Sequence, residues 1–522
     1  MIMNIIDCRL IYKNGGRTES VSGFENDVFT LEIKRDRMDA GIIYTAELSL
    51  AQDIEAVRFD LVMETELMGL GYSANGYQSW SESPFVDQLY YRKNLNYLLQ
   101  KTFRLEHYGD YSFTSDERKN RWMHSHLFLN LVDTEDGRTR LFLGDLLPFE
   151  SYSWFTPDYK NNTITMATDL EGLATEKGIA FTVARIIESQ NTSAYWKALG
   201  LSERKPDKIT GWTSWYNYYT NISGEILSRN MEALERTGIP MDIFQIDDGY
   251  FTAVGDWLNP NDRFPGGMKP IAEKIREKGW KPGIWLAPFV CERESHIFRE
   301  KSNWIHRDSR NRLQIAGWNP NWSGMFYALD IYNTGFREYL GEVFETMKSD
   351  WGYSFFKLDF LYAACLVPGN GRTRAMIMTD AMDFLNELTK GALFLSCGVP
   401  IGPAMGRCDY ARIGADISHG PEDRLLKMVG YRERVSTASA MNNTVSRAFM
   451  DGHAFGNDPD VFILRNSKEI KLSGEDKENL FRTNLDNSSL VFFSDDVSDY
   501  SGETLEKVRE KFTEYRGRQQ GK

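Results

Sequence analysis

Cysteine is scarce in this chain. Five occur in 522 residues (Cys8, Cys291, Cys365, Cys397 and Cys408), with no C-x-x-C pair among them. That count excludes a disulfide-stapled scaffold and a paired-cysteine zinc site. Positive charge is in deficit, with 61 Lys and Arg against 74 Asp and Glu, a formal net charge of −13. A nucleic-acid partner is therefore not expected, because phosphate binding needs clustered cations. No apolar run is long enough to span a bilayer, so no membrane partner is expected either. The N-terminus MIMNIIDCRL lacks a basic leader, and Asn4 and Asp7 interrupt its apolar stretch, which points to the cytoplasm. HExxH, Walker A and G-x-S-x-G are absent, which removes the main support for metalloprotease, P-loop and serine-hydrolase chemistry. What is abundant is aromatic: 13 Trp, 25 Tyr and 31 Phe. Such usage serves core packing first and ring stacking on ligands second.

Residues 1–200 read as an all-β region. Short runs such as VFTLEI (28–33), AVRFDLVM (56–63), RLFLGDLL (140–147) and ITMATDL (164–170) are separated by turn clusters such as KNGG and TEDG. Strands without helical periodicity predict a β-sandwich. A charged connector with one proline, KALGLSERKPDK, follows Trp196. Across 201–470 the pattern changes to strands alternating with helices. Eight strands are expected: TGWTSWY (210–216), DIFQIDD (242–248), PGIWLAP (282–288), FYALDI (326–331), SFFKLDF (354–360), LFLSCG (393–398), YARIGAD (410–416) and DVFIL (460–464). Helices are expected at 224–237, closed by Gly238, and at 336–348. The fold class is thus α/β, a (β/α)8 TIM barrel preceded by an all-β sandwich. An open doubly wound sheet is the alternative, but GWTSWYNYY is not a glycine-rich phosphate turn. Residues 471–522 are expected to add the last helical layer and a short tail.

In a barrel, working groups collect where strands end. Asp247 and Asp248, Asp330, Lys357 and Asp359, Cys397, and Arg412 and Asp416 end the apolar runs, and Trp285 lies within one. Unpaired charges are costly to bury, so this set either pairs or works. Lys357 and Asp359 share one face of their strand, which would keep Asp359 ionised. Two carboxylates on facing strands suit a retaining glycosidase, one as nucleophile and one as acid/base. A structural Lys–Asp–Arg network fits the same pattern. His124 and His126 share a strand face, but no third metal ligand is evident, and solvated sandwich histidines are the expectation.

Beyond these patterns, nine motifs occur in one order: GWTSWYNYY, QIDDGYF, GDWL followed by FP, PGIWLAPF, YALD, FFKLDF, SCGVP, RIGAD and NDPDVFILR. With NGYQSWS (75–81), they resemble the family 36 glycoside hydrolases, specifically short bacterial α-galactosidases. The resemblance implies roles for individual residues. Asp359 matches the nucleophile and Asp416 the acid/base. Asp247 and Asp248 match the pair that binds the sugar 4- and 6-hydroxyls, and Lys357 and Arg412 the surrounding cations. Trp285 and Trp80 match aromatic walls of the subsite; Tyr216 and Cys397 match pocket-lining positions. No cofactor and no metal is implied, and the partner is a small α-galactoside, with room for a homo-oligomer. Two departures stand out. Tyr77 occupies a roof-loop position where relatives often carry Trp, and the family's C-terminal β domain is expected to be missing. An α-N-acetylgalactosaminidase, an α-galactosyltransferase of the raffinose-synthase type and a silent sugar-binding protein remain as alternatives.

Overall fold

The computed structural model describes residues 3–90, 97–105, 123–201, 203, 206–308 and 310–518. Two antiparallel sheets occupy the N-terminal region. The first has six strands in the order Arg17–Ser22, Asn4–Asn14, Glu55–Glu64, Thr163–Asp169, Ser153–Asp158 and Ser125–His126. The second has seven, in the order Phe29–Met38, Gly41–Leu50, Ala180–Ser189, Thr139–Asp145, Phe128–Asp133, Leu70–Ser73 and Phe85–Val86. Alternation decides how they meet. Leu10, Phe59, Leu61 and Met166 of the first sheet share one apolar cluster with Leu129, Leu131, Leu141 and Leu143 of the second. Phe128, just before Leu129, and Phe142, between Leu141 and Leu143, point the other way and join the core of the following region. A strand apolar on both faces is therefore buried on both faces, which explains the unbroken RLFLGDLL run.

From Ile209 onward a nine-stranded parallel sheet forms. Its order is Gly456–Asp458, Tyr410–Arg412, Leu393–Ser396, Phe355–Leu358, Lys281–Leu286, Ile243–Ile246, Ile209–Thr213, Leu490–Phe493 and Val461–Phe462. The two outermost strands are consecutive in the chain, separated only by Pro459 and Asp460, so the sheet curls and brings its two edges close together. Helices connect the strands. Gly224–Thr237 begins at Ser223, whose side chain accepts from the Ile226 N–H, and buries Leu227, Met231 and Leu234. It ends at Gly238, left-handed at φ +65°, a conformation that costs an L-residue about 1–2 kcal/mol. Among the described residues no helix is long and apolar enough to cross a membrane.

Two strand expectations are corrected. FYALDI does not join the parallel sheet: Gly324–Ala328 pairs antiparallel with Ile315–Asn319 and Val290–Glu292 in a separate three-stranded sheet. Lys281–Leu286 pairs directly with Phe355–Leu358 instead. The apolar content of a run does not distinguish a hairpin arm from a parallel strand. The hairpin signal was the NPNWSG turn, where Gly324 takes φ +92°. The strand that completes the sheet is Leu490–Phe493, between Ile209–Thr213 and Val461–Phe462.

Candidate active site

Parallel strands point their carboxyl ends to one edge, and there the sequence places its charges. Directly beyond Ile246 come Asp247 and Asp248, beyond Leu358 comes Asp359, and beyond Ser396 comes Cys397. A cavity of about 320 Å3 opens at this edge, of the size that admits a small organic ligand. Eight of the ten site residues expected from sequence line it: Trp80, Tyr216, Asp247, Asp248, Trp285, Lys357, Asp359 and Asp416. Arg412 and Cys397 stand one layer behind, each touching a lining residue. Asp330 is not part of this edge. It lines a separate cavity with His306 and Tyr332, and its carboxylate accepts the Tyr332 N–H. Its place follows from the hairpin, which takes FYALD out of the parallel sheet.

Lys357 donates from Nζ to Asp247 Oδ2 at 2.9 Å, with both side chains buried. Gln245 Nε2 donates to the same oxygen at 2.6 Å. Lys357 still favours the ionised form of its strand neighbour Asp359, as expected, but its contact is with Asp247. A shared face sets direction but not partner, and Asp247, two strands away along the edge, takes the ammonium. Burial opposes the charge on Lys357, but Asp247 and then Asp359 outweigh it and raise its pKa. Asp359 receives Trp285 Nε1–H on Oδ2 at 3.1 Å and the Phe360 N–H on Oδ1 at 2.9 Å. Burial nonetheless raises the Asp359 pKa, with Lys357 the main opposing influence. Phe360 sits at φ +54°, a backbone strain typical of functional loops. Asp248 accepts from Trp322 Nε1 at 2.9 Å, and burial pushes its pKa up to about 7.

Beyond the Tyr410–Arg412 strand one guanidinium organises three carboxylates. Arg412 reaches Asp416 Oδ1 at 3.0 Å, Asp458 Oδ2 at 2.9 Å and Asp460 Oδ1 at 2.9 Å. Asp460 also accepts from the Ile417 N–H at 2.8 Å and from the Tyr216 hydroxyl. Burial raises its pKa, with Arg412 opposing. Asp416 is the accessible member of the group, its side chain 35% exposed against 4% and 0% for the other two.

The 75–81 segment crosses from the antiparallel region to the cavity. Trp80 donates from Nε1 to Cys397 Sγ at 3.3 Å and stands edge-on to Phe360. A Cβ at Gly398 would lie 2.7 Å from Trp80 Cζ2, so the indole lies directly on the glycine. Tyr77 turns away from the cavity, edge-on to Tyr152 and His126, with its hydroxyl 3.8 Å from Cys365 Sγ. His124 and His126 are buried beside Trp154, not solvated. Their strand face turns inward because the Ser125–His126 strand packs beneath the 75–81 segment, where Asn75 Nδ2 donates to the His126 carbonyl. Among the described residues no group of three or more His, Cys, Asp or Glu is placed to hold a metal ion.

The sequence reading missed Asp458 and Asp460, although both sit in the quoted NDPD. It also missed Trp322 and Asn321 on the hairpin turn, and Tyr431 and Glu433 on the loop after the 410–412 strand. The NPNW cluster, polar and aromatic between two apolar runs, was the signal for the hairpin pair. Nothing local marks Tyr431 and Glu433.

Comparison with known proteins gives one picture. Residues 197–365 match the Melibiase family. The chain is 24% identical over 208 residues to an α-galactosidase of Escherichia coli, covering 38% of this chain and 28% of that protein. It is 21% identical over 255 residues to α-galactosidase AgaA of Geobacillus stearothermophilus, covering 46% of this chain and 31% of that protein. The matched stretches thus span under a third of these curated relatives. Among solved structures, TtGalA, an α-galactosidase from Thermus thermophilus in complex with stachyose, superposes with a TM-score of 0.73 at 26% identity, covering 92% of this chain and 99% of that one.

Proposed function

We propose that the chain is a glycoside hydrolase of family 36, a retaining α-galactosidase acting on terminal α-linked galactose; the Melibiase match over 197–365 and the likeness to TtGalA support this reading. The observation that carries the reading is two carboxylates, Asp359 and Asp416, lining one cavity with separate supports, Trp285 for the first and Arg412 for the second. In this reading Asp359 attacks the anomeric carbon while the glycosidic C–O bond breaks. Asp416 gives its proton to the departing oxygen. The resulting glycosyl ester is then opened by water, whose proton returns to Asp416. Arg412 holds Oδ1 of Asp416 and leaves Oδ2 for proton transfer, while Asp458 and Asp460 share the same guanidinium. Trp285 supports the nucleophile through its N–H. Asp247 and Asp248 line the buried end, where carboxylates accept from sugar hydroxyls, and Trp80 and Trp322 offer ring faces to its C–H groups.

In the same reading, residues 1–200 form a sandwich domain and 201–470 the main body of a closed (β/α)8 barrel. Its seventh strand is split at Pro459–Asp460, and its eighth is the Leu490–Phe493 strand. Residues 471–522 contribute that strand and the last helices. Cytoplasmic residence accords with five unpaired, buried cysteines. The partner is a small α-galactoside, and no cofactor takes part. The alternative N-acetylgalactosaminidase needs room beside Cys397 and Gly398, a space that Trp80 fills.

The test is the anomer first released from a nitrophenyl α-galactoside, followed by proton NMR. α-Galactose appearing first supports the reading, and β-galactose first overturns the nucleophilic role of Asp359. A preference for the N-acetylgalactosaminide would move the assignment to that alternative.

A further inference from the structure

Arg447 closes the Thr437–Ser446 helix and is 1% exposed. Among the described residues every hydrogen-bond partner of its side chain is a neutral oxygen. Nε donates to Asn75 Oδ1 at 2.9 Å, and Nη1 to the carbonyls of Ser79 at 3.0 Å and Ile413 at 2.7 Å. Longer contacts run from Nη2 to the carbonyls of Gly76, Gln78 and Ser81. Burial, with the nearby Arg432 cation, presses its pKa down to about 9. A cation buried on neutral acceptors is costly, so the arrangement calls for an account.

Its acceptors supply one. Asn75 to Ser81 is a segment without helix or strand, and its carbonyls need donors. That segment carries Trp80. Ile413 follows Arg412 and precedes Asp416, so the same guanidinium grips the backbone leading to the acid/base candidate. The Arg447 carbonyl in turn accepts from Asn457 Nδ2, on the strand that bears Asp458. Asn443, one turn earlier, reinforces the grip by donating to the Ser81 carbonyl and accepting the Ser83 N–H. Only a planar fork with five N–H groups can serve acceptors spread in this way.

We propose that Arg447 is a positioning residue that registers the Trp80 wall of the cavity, donated by the sandwich region, against the Arg412–Asp416 segment of the barrel. The proposal rests on the functional reading above for its kinetic consequence, but not for its structural one.

The test therefore has two arms. In the ligand-free protein, hydrogen exchange is compared between wild type and Arg447→Lys. Amides of 76–83 and 413–417 are expected to exchange faster together, by about tenfold, while the Gly224–Thr237 helix is unchanged. In the kinetic arm, Arg447→Lys raises KM for a nitrophenyl α-galactoside by about tenfold with kcat nearly kept. Trp80→Ala does the same, and the double variant adds little. Additive effects of the two variants, or exchange confined to one of the two segments, overturn the proposal. If Arg447→Lys does not fold, Asn75→Ala, which removes one acceptor only, takes its place in both arms with the same outcomes read. Absence of galactosidase activity in the wild type would count against the functional reading and leave the exchange arm to decide this one.

Discussion

Lys357 and Asp247 form a buried ion pair at the cavity, Nζ to Oδ2 at 2.9 Å, and among the described residues no cation lies at hydrogen-bonding range of Asp359. The pair divides the labour. Asp247 is balanced by a partner, whereas Asp359 relies on Trp285 and a backbone N–H. Replacing Lys357 by Met would leave the buried Asp247 carboxylate with Gln245, Thr213 and the Asp248 N–H as neutral partners and no cation in contact. Loss of about 3–5 kcal/mol is expected, read by denaturant unfolding. A loss below about 1 kcal/mol would place the pair among dispensable ones.

Trp285→Phe keeps the ring and removes the N–H that favours ionised Asp359. A donor to a charged group is worth about one pKa unit. The acid limb of kcat/KM is expected to move to higher pH by that amount. An unmoved limb would assign it to another group.

Asp416→Ala tests proton donation through the leaving group. Cleavage of an unactivated galactoside should slow by about 100-fold or more, with a nitrophenyl galactoside affected far less in its first step. Equal slowing of both would remove Asp416 from the acid role.

Gly398→Ala adds a methyl at φ +57° and 2.7 Å from Trp80 Cζ2. Left-handed backbone costs about 1–2 kcal/mol, and the indole must shift. A lower Tm and a weaker inhibition by galactose are expected together. A fall in Tm alone would mean that Trp80 does not face the sugar.

Asp248 carries a pH signature. Its pKa is raised by burial to about 7, above the usual aspartate value. Between those values the native state holds a proton that the unfolded chain has released. The stability contributed is complete below the usual value and is lost as pH rises through about 7. Asp248→Asn should flatten that fall, by roughly 1.4 kcal/mol per pH unit across the window. Identical slopes in variant and wild type would refute the assignment.

Much of this edge was legible because strand periodicity and strand ends are local properties. IDD and KLDF end their runs, and the structure brings these groups to one cavity. Partnership was not legible. Lys357 chose a carboxylate 110 positions away over one two positions on, because register between strands, not sequence distance, sets which side chains meet. FYALDI was misplaced for a similar reason: its pairing depends on the turn before it, and apolar content is silent on that. Leu490–Phe493 lies in the apolar, strand-like run SLVFFS (489–494), which reads as part of the last helical layer and tail because residues 471–522 are too few for a domain of their own. Arg447 gave no signal at all, since its acceptors are main-chain carbonyls that any sequence supplies.

The break at Pro459–Asp460 links the two edge strands of the curled sheet. Asp460, at φ +79°, turns its carboxylate to Arg412, Tyr216 and the amide of Ile417. The seam of the architecture is thus fastened by the same atoms that brace Asp416. If Asp416 is the proton donor we propose, a perturbation that loosens this seam is expected to register first as failing proton delivery, so a falling response to poor leaving groups would serve as an early gauge of a strained hoop.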